Sequence, residues 1–172
     1  EGNDFDGAKE SAREFAVKHN ELFVEDGVEI AISEGAGTIA AECIEQIPGL
    51  DCLVVPVGNG ALIAGIGAYA KSVNSKIKIV GVCAGGAPAM ERSWRTRSVV
   101  STNEVNTIAD GIAVRVPVPQ ACADMLDYVD EVVLVSEGSI RRAIKLLLQE
   151  HGLVGEPAGV VGIAALLEHP RA

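Results

Sequence analysis

A parallel α/β sheet, three layers thick with helices on both faces, is the fold this sequence predicts, and three observations predict it. Short continuous apolar runs, "CLVVPV" at Cys52–Val57 and "KIKIVGVC" at Lys76–Cys83, read as strands covered on both faces; such strands occur mainly in parallel sheets. Stretches of helical period alternate with them, the pattern of an open parallel sheet. A glycine-flanked turn, "VGNGA" at Val57–Ala61, joins one strand directly to a helix. At 172 residues the chain can bury a substantial core, as one domain or as one large piece of a bigger one.

Taken in order, Asp4 or Asp6 caps a first helix whose apolar positions Ala12, Phe15 and Ala16 share a face, ending near Lys18–Asn20. A loop through "VEDGVEIAISEGAG" follows, and Thr38 opens a second helix with Ile39, Cys43, Ile44 and Ile47 on one stripe until Pro48-Gly49 stops it. The strand at Cys52–Val57 leads into a helix over Ala61–Asn74, and the strand at Lys76–Cys83 into a helix over Pro88–Arg95. After a loop come a helix at Gln120–Leu126 and the strand "DEVVLVS" at Asp130–Ser136. The last third is helical, with Ile140, Ile144, Leu147 and Leu148 on one face and a final helix over Pro157–Glu168. No repeat, low-complexity tract or linker interrupts the series.

Charge and cysteine use exclude several roles. The net charge is −10 and the 14 basic residues are scattered, which excludes a nucleic-acid backbone as partner. Leu53–Ala70 carries no charge, but Pro56, Gly58, Asn59 and Gly60 break it, so no membrane span is expected. Cys43, Cys52, Cys83 and Cys122 form no C-x-x-C pair and sit in apolar settings, pointing to reduced thiols and a cytoplasmic protein. The first residue is Glu1 rather than methionine, and a fragment or processed product is expected.

A glycine turn feeding a helix N-terminus offers unpaired N–H groups and the positive end of the helix dipole, a natural phosphate seat. The ligand is not a dinucleotide: G-x-G-x-x-G/A from Gly58 requires a small residue where Ile63 stands, and "IVGVCAGG" ends on no acidic residue for a ribose. A P-loop from Gly60 fails because Ile66, not lysine, follows Gly65. Local spacing leaves two readings open, a phosphate seat and a plain tight turn.

The stretch "VVPVGNGALIAGI" resembles the glycine-rich phosphate loop of the fold-type II pyridoxal-phosphate enzymes, the tryptophan synthase β-subunit superfamily. "GNDFDGAKESA", "EGAGTIAAE", "NTIADGIAV" and "EPAGVVGIAAL" are similar to further family segments in the same order, covering nearly all of the chain. "TIADGIAV" and "EPAG" are closer to the threonine and serine dehydratase branch than to the cysteine synthase branch.

That resemblance implies the large domain of the tryptophan synthase β-like fold and pyridoxal 5′-phosphate as cofactor. The main-chain N–H groups of Gly58, Asn59, Gly60, Ala61 and Leu62 would surround its phosphate, and Glu156 would face its ring. Where the family has four glycines, Asn59 and Ala61 depart; the donors are main-chain, so none is lost, and asparagine tolerates a left-handed conformation. The implied activity is that of an amino-acid lyase, converting a 2-amino-3-hydroxy acid to a 2-oxo acid and ammonia. A racemase or other β-eliminating enzyme, and a non-catalytic phosphate-ligand module, are the alternatives. Residues 1–172 would be a partial large domain, because the Ser-x-Lys-x-Arg-Gly motif carrying the Schiff-base lysine and the Ser-Gly-Gly-Asn stretch near the end are not in the chain. By itself the chain is predicted inactive and holds no catalytic residue. Some relatives bind a divalent cation through carboxylates where Cys83 and Ala89 stand, so no metal is expected. Partners are a small-molecule amino acid and further copies of the chain in a homo-oligomer.

Other conspicuous residues have plainer readings. Asp110 before Gly111 reads first as turn chemistry, with a role near the substrate entrance as the alternative. Glu156 equally suits a carboxylate at a helix start. His19, His151 and His169 fall at helix ends, and Trp94 with Arg92, Arg95 and Arg97 reads as a solvated helix face. "EGAGT" is either a second anion seat at a helix start or a site of close backbone packing.

Overall fold

Strand β2 (Lys78–Ala84) is the middle of the sheet, flanked by β1 (Cys52–Pro56) and β3 (Glu131–Val135), all parallel, in a computed structural model that describes residues 4–170. Cys52 pairs with Lys78 and Pro56 with Val82 on one side, and Val80 with Glu131 and Ala84 with Val135 on the other. The period-2 alternation of a strand sends Val55, Ile79, Cys83 and Val132 into one core and Val82, Ala84 and Val135 into another.

Helices α3 (Ala61–Val73), α4 (Ala89–Thr96) and α5 (Pro119–Tyr128) cover the first core, and α2 (Ile30–Gln46) packs on the outside of α3. Helices α6 (Glu137–His151) and α7 (Val161–Glu168) cover the second. Helix α1 (Phe5–His19) lies apart from these layers. Its N-cap Asp4 accepts from Gly7 N–H at 2.7 Å and from Arg115 Nε at 2.9 Å, and Asp6 Oδ2 accepts from the N–H of Arg115 at 3.0 Å and of Val116 at 3.2 Å. Carboxylates, not apolar burial, moor it. The three-layer parallel α/β fold is therefore as the sequence predicts; Gly2 and Asn3 of "GNDFDGAKESA" lie outside the described residues.

Most boundaries differ by a residue or two, and three of the differences have a visible cause. Helix α2 begins at Ile30, well before Thr38, whose Oγ1 donates to Gly35 O at 2.7 Å inside the helix instead of capping it. The glycines are helical because α2 must approach α3 closely: a Cβ on Gly65 would collide with the carbonyl of Ser33 and stand 2.9 Å from Gly37 N. "EGAGT" is thus a close-packing site and not a helix start. Helix α7 begins at Val161, after Pro157–Val160 form turns, and Asn74 Oδ1 accepts from Lys76 N–H at 3.0 Å, holding that residue in a turn before β2. Trp94 packs against the first core rather than joining Arg92, Arg95 and Arg97 in solvent.

The histidines do close helices: His19 and His151 end α1 and α6, and His169 caps α7 while its Nε2–H donates to Leu134 O at 2.8 Å on the edge of β3. Asp130 binds the start of the sheet. Its Oδ2 accepts from Ile79 N–H at 2.7 Å and from Lys71 Nζ at 2.6 Å. Burial pushes this carboxyl up, but Lys71 and the Ile79 N–H outweigh it and hold it below the usual carboxylate range.

Two outcomes follow. Asp130→Ala is expected to cost about 1 kcal/mol near pH 7, a figure discounted for exposure. Because the folded pKa is the lower one, this contribution exists above the unfolded value and vanishes as pH falls through the folded one, so urea midpoints of parent and variant should converge in acid. Gly65→Ala is expected to cost about 1–3 kcal/mol in thermal unfolding by forcing α2 off α3. Gly37→Ala, whose added methyl would come no nearer than 3.1 Å, to Gly65 O, should cost less.

Candidate functional site

The site is built where β1 stops. Val57 N–H makes the last ladder bond, to Val82 O at 2.9 Å, and the chain turns at once into α3. The next paired N–H is that of Ala64, which donates to Gly60 O at 2.9 Å. Among the described residues, no acceptor receives the N–H of Gly58, Asn59, Gly60, Ala61 or Leu62, nor that of Ile63. A buried donor without a partner costs about 1–3 kcal/mol, and Asn59, Gly60 and Ala61 are buried. Gly60 is the N-cap, at φ +101°, and gives α3 no capping side chain. Any Cβ there would be strained and would stand 2.9 Å from the Cβ of Ala121.

The arrangement meets what a phosphate seat requires, since its donors are neither paired nor capped among the described residues. An anion at the N-terminal end of α3 meets N–H groups and the positive end of the dipole together. Ala61 is the first helical residue, as expected. Asn59 is not left-handed, however: among the described residues other than glycine only Asn20 and Arg97 have positive φ, and Gly60 alone makes the bend.

The sequence-predicted residues meet around one short turn. Gly58 lies against the 3-10 turn Asp110–Ile112, where a Cβ on Gly58 would stand 3.2 Å from Gly111 O. Glu156 comes to the same glycine, its Oε1 3.8 Å from the position a Gly111 Cβ would take. It precedes the turns before α7 and is exposed, so it is not in a helical first turn. Asp110 does act in turn chemistry, its Oδ1 accepting from Gly111 N–H at 3.0 Å.

Sequence reasoning missed Asp26 and Gly27. Gly27, at φ +83°, passes under the turn, and a Cβ on it would stand 2.9 Å from Asn59 O. Asp26, Asp110, Phe5 and Asn59 line a hollow of about 130 Å³ beside the turn. The Asn59 amide is buried, and neither Nδ2 nor Oδ1 makes a hydrogen bond of acceptable geometry, although the Asp26 carboxyl lies near enough to feel it. Asp26 is exposed as a residue, yet protein atoms crowd its carboxyl and push its pKa up against the opposing pull of Asn59 and Lys9. The "DG" pair at 26–27 was the available signal, and it reads as an ordinary loop. Cys83 and Ala89 are both buried, and burial pushes the Cys83 thiol up to about 12.

Comparison with known proteins follows the same lines. A family model described as pyridoxal-phosphate dependent enzyme matches residues 2–172. An L-threonine ammonia-lyase of Thermotoga maritima is 40% identical over 167 residues, 97% of this chain and 42% of that protein. A catabolic L-threonine dehydratase of Escherichia coli is 32% identical over 166 residues, 96% of this chain and 50% of its own. The chain thus spans half or less of the length of these relatives. Among solved structures, the processed form of threonine deaminase isoform 2 from Solanum lycopersicum superposes with a TM-score of 0.89 at 30% identity, covering 100% of this chain and 48% of that one. Maize serine racemase superposes with a TM-score of 0.88 at 26% identity, covering 95% and 51%.

Asp26 carries a stability prediction of its own. With its folded pKa raised, its penalty is complete above that value and absent below the unfolded one. Asp26→Asn should therefore raise the urea midpoint at neutral pH, with a gain that shrinks to nothing in acid.

Proposed function

The chain belongs to the family of pyridoxal-phosphate dependent enzymes, and on that premise we propose that it supplies the cofactor-phosphate seat of an ammonia-lyase acting on L-threonine or L-serine. The observation that carries this reading is the run of N–H groups at residues 58–62 with no acceptor among the described residues. They fit a dianionic ester. Each charge-assisted N–H bond contributes about 1.5–3 kcal/mol net, and none depends on a side chain.

Bound there, pyridoxal phosphate supplies an electron sink for the pair released when an amino acid loses its α-proton. This chain's own part is to hold and orient. The N–H groups of Gly58, Asn59, Gly60, Ala61 and Leu62 fix the phosphate. Gly58 packs on the Asp110–Ile112 turn and Glu156 comes to Gly111 of that same turn, from where it would face the cofactor ring. Residues 1–172 form part of the large domain, and the lysine that the chemistry requires belongs to a Ser-x-Lys-x-Arg-Gly segment that these residues do not contain. Among the described residues no helix is long and apolar enough to cross a membrane, and the four cysteines are free. A reducing, cytoplasmic setting accords with the free thiols. Exposed Phe15, Val17, Leu22 and Val24 supply apolar surface suited to assembly as a homo-oligomer.

A racemase is the second reading, favoured by the likeness to maize serine racemase. One set of assays on the full-length protein separates them. We expect 2-oxobutanoate and ammonia from L-threonine, whereas D-serine from L-serine without 2-oxo acid would assign a racemase. Borohydride should trap the cofactor on lysine; if nothing is trapped and no turnover is seen, the protein is a non-catalytic module. Pyridoxal, which lacks the phosphate, should bind at least about 100-fold more weakly than pyridoxal phosphate. Equal affinities would remove the phosphate seat from the reading.

A further inference from the structure

A second hollow, of about 480 Å³, opens at the C-terminal end of β2 and shares no lining residue with the turn at 58–62. Its size is that of ordinary small-ligand sites, roughly 300–1,000 Å³. Arg92 on α4 and Glu104 in the following loop both line it, both are exposed, and neither has an ion-pair or hydrogen-bond partner for its charged group among the described residues. Arg95, one turn along, is different: Glu91 takes its Nε at 2.9 Å.

The wall between the two charges is polar and fixed. Asn106 N–H donates to Gly86 O at 2.8 Å and Thr102 N–H to Arg115 O at 3.0 Å, pinning the loop at both ends. Thr102 Oγ1 is buried without a hydrogen-bond partner, and Asn103 and Asn106 add amide groups to the lining. A fixed wall lowers the ordering cost of binding. Charge selects the ligand. A simple anion would meet the Glu104 carboxylate, and a simple cation would meet the Arg92 guanidinium. A small molecule carrying both charges satisfies both groups.

We propose that this hollow binds a free α-amino acid, with its carboxylate toward Arg92 and its ammonium toward Glu104. It is a binding site apart from the cofactor seat, where an amino acid waits or acts as effector. Only the choice of L-threonine as probe rests on the proposed reaction.

The test is calorimetry on the full-length protein after borohydride treatment, which stops turnover. L-Threonine is expected to bind saturably, and Arg92→Gln and Glu104→Gln should each weaken it about fivefold, as exposed charge contacts do. Arg92→Gln should also abolish the preference for threonine over L-threoninamide, and Glu104→Gln the preference over 3-hydroxybutanoate. Neither variant should change cofactor absorbance. Threonine binding on these terms in a protein that takes up no pyridoxal phosphate would refute the reaction and leave this site standing. Absence of a saturable heat, unchanged affinity in both variants, or displacement by inorganic phosphate with 3-hydroxybutanoate binding as well as threonine would refute the site.

Discussion

The arrangement of this protein depends on the main-chain N–H groups from Gly58 to Ile63, which find no acceptor among the described residues. Two causes combine there. A parallel strand ends its ladder at Val57, and a helix begins so soon afterwards that its first turn has no carbonyl behind it. A serine or aspartate at the cap would have offered an acceptor, but Gly60 provides only the bend. The donors remain for something from outside, in a turn buried enough that water is a poor substitute.

Holding that turn still is the work of packing on three sides. Ile63, Ile66 and Ala70 set α3 into the first core, each larger side chain contributing about 1.5–3 kcal/mol by burial. Gly65 admits α2 from the outer side, and the Asp110–Ile112 turn closes over Gly58. The charges are placed away from these contacts. Asp130 and Lys71 tie the opposite end of the sheet, and α1 is moored by Asp6 to the 115–116 main chain and by Asp4 to the Arg115 guanidinium. The charged groups beside the turn are the carboxylates of Asp26, Asp110 and Glu156 and, next to Asp26, the Lys9 ammonium, which Glu25 already pairs at 3.3 Å, so an anion there would be held chiefly by oriented dipoles.

The sheet was legible in the sequence because buried parallel strands are continuous apolar runs, and "CLVVPV" and "KIKIVGVC" have no competing interpretation of similar length. The turn was legible because a strand, two glycines and a helix follow one another without a gap. The start of α2 was not. Its glycines have poor helical propensity, and only the approach of Gly65, distant in sequence, makes them an asset. Asp26 escaped for a related reason: nothing local distinguishes a loop aspartate from one folded against Asn59, and its raised pKa exists only through that tertiary contact. Trp94 illustrates the reverse error, since three neighbouring arginines conceal an aromatic ring that the core claims.

Asn59 shows what kind of change such a turn can absorb. Its side chain adds no donor that reaches an acceptor of good geometry, and burying an unpaired amide costs about 1–3 kcal/mol. That cost falls on stability. The N–H of residue 59 is the same group whether asparagine or glycine carries it, and the required left-handed bend has been left to Gly60. Ala61 behaves similarly, since a methyl group at the first helical position favours the helix and leaves the N–H in place. Donors carried by the main chain are thus independent of side-chain identity at 59 and 61, while Gly60, which shapes the main chain, remains constrained.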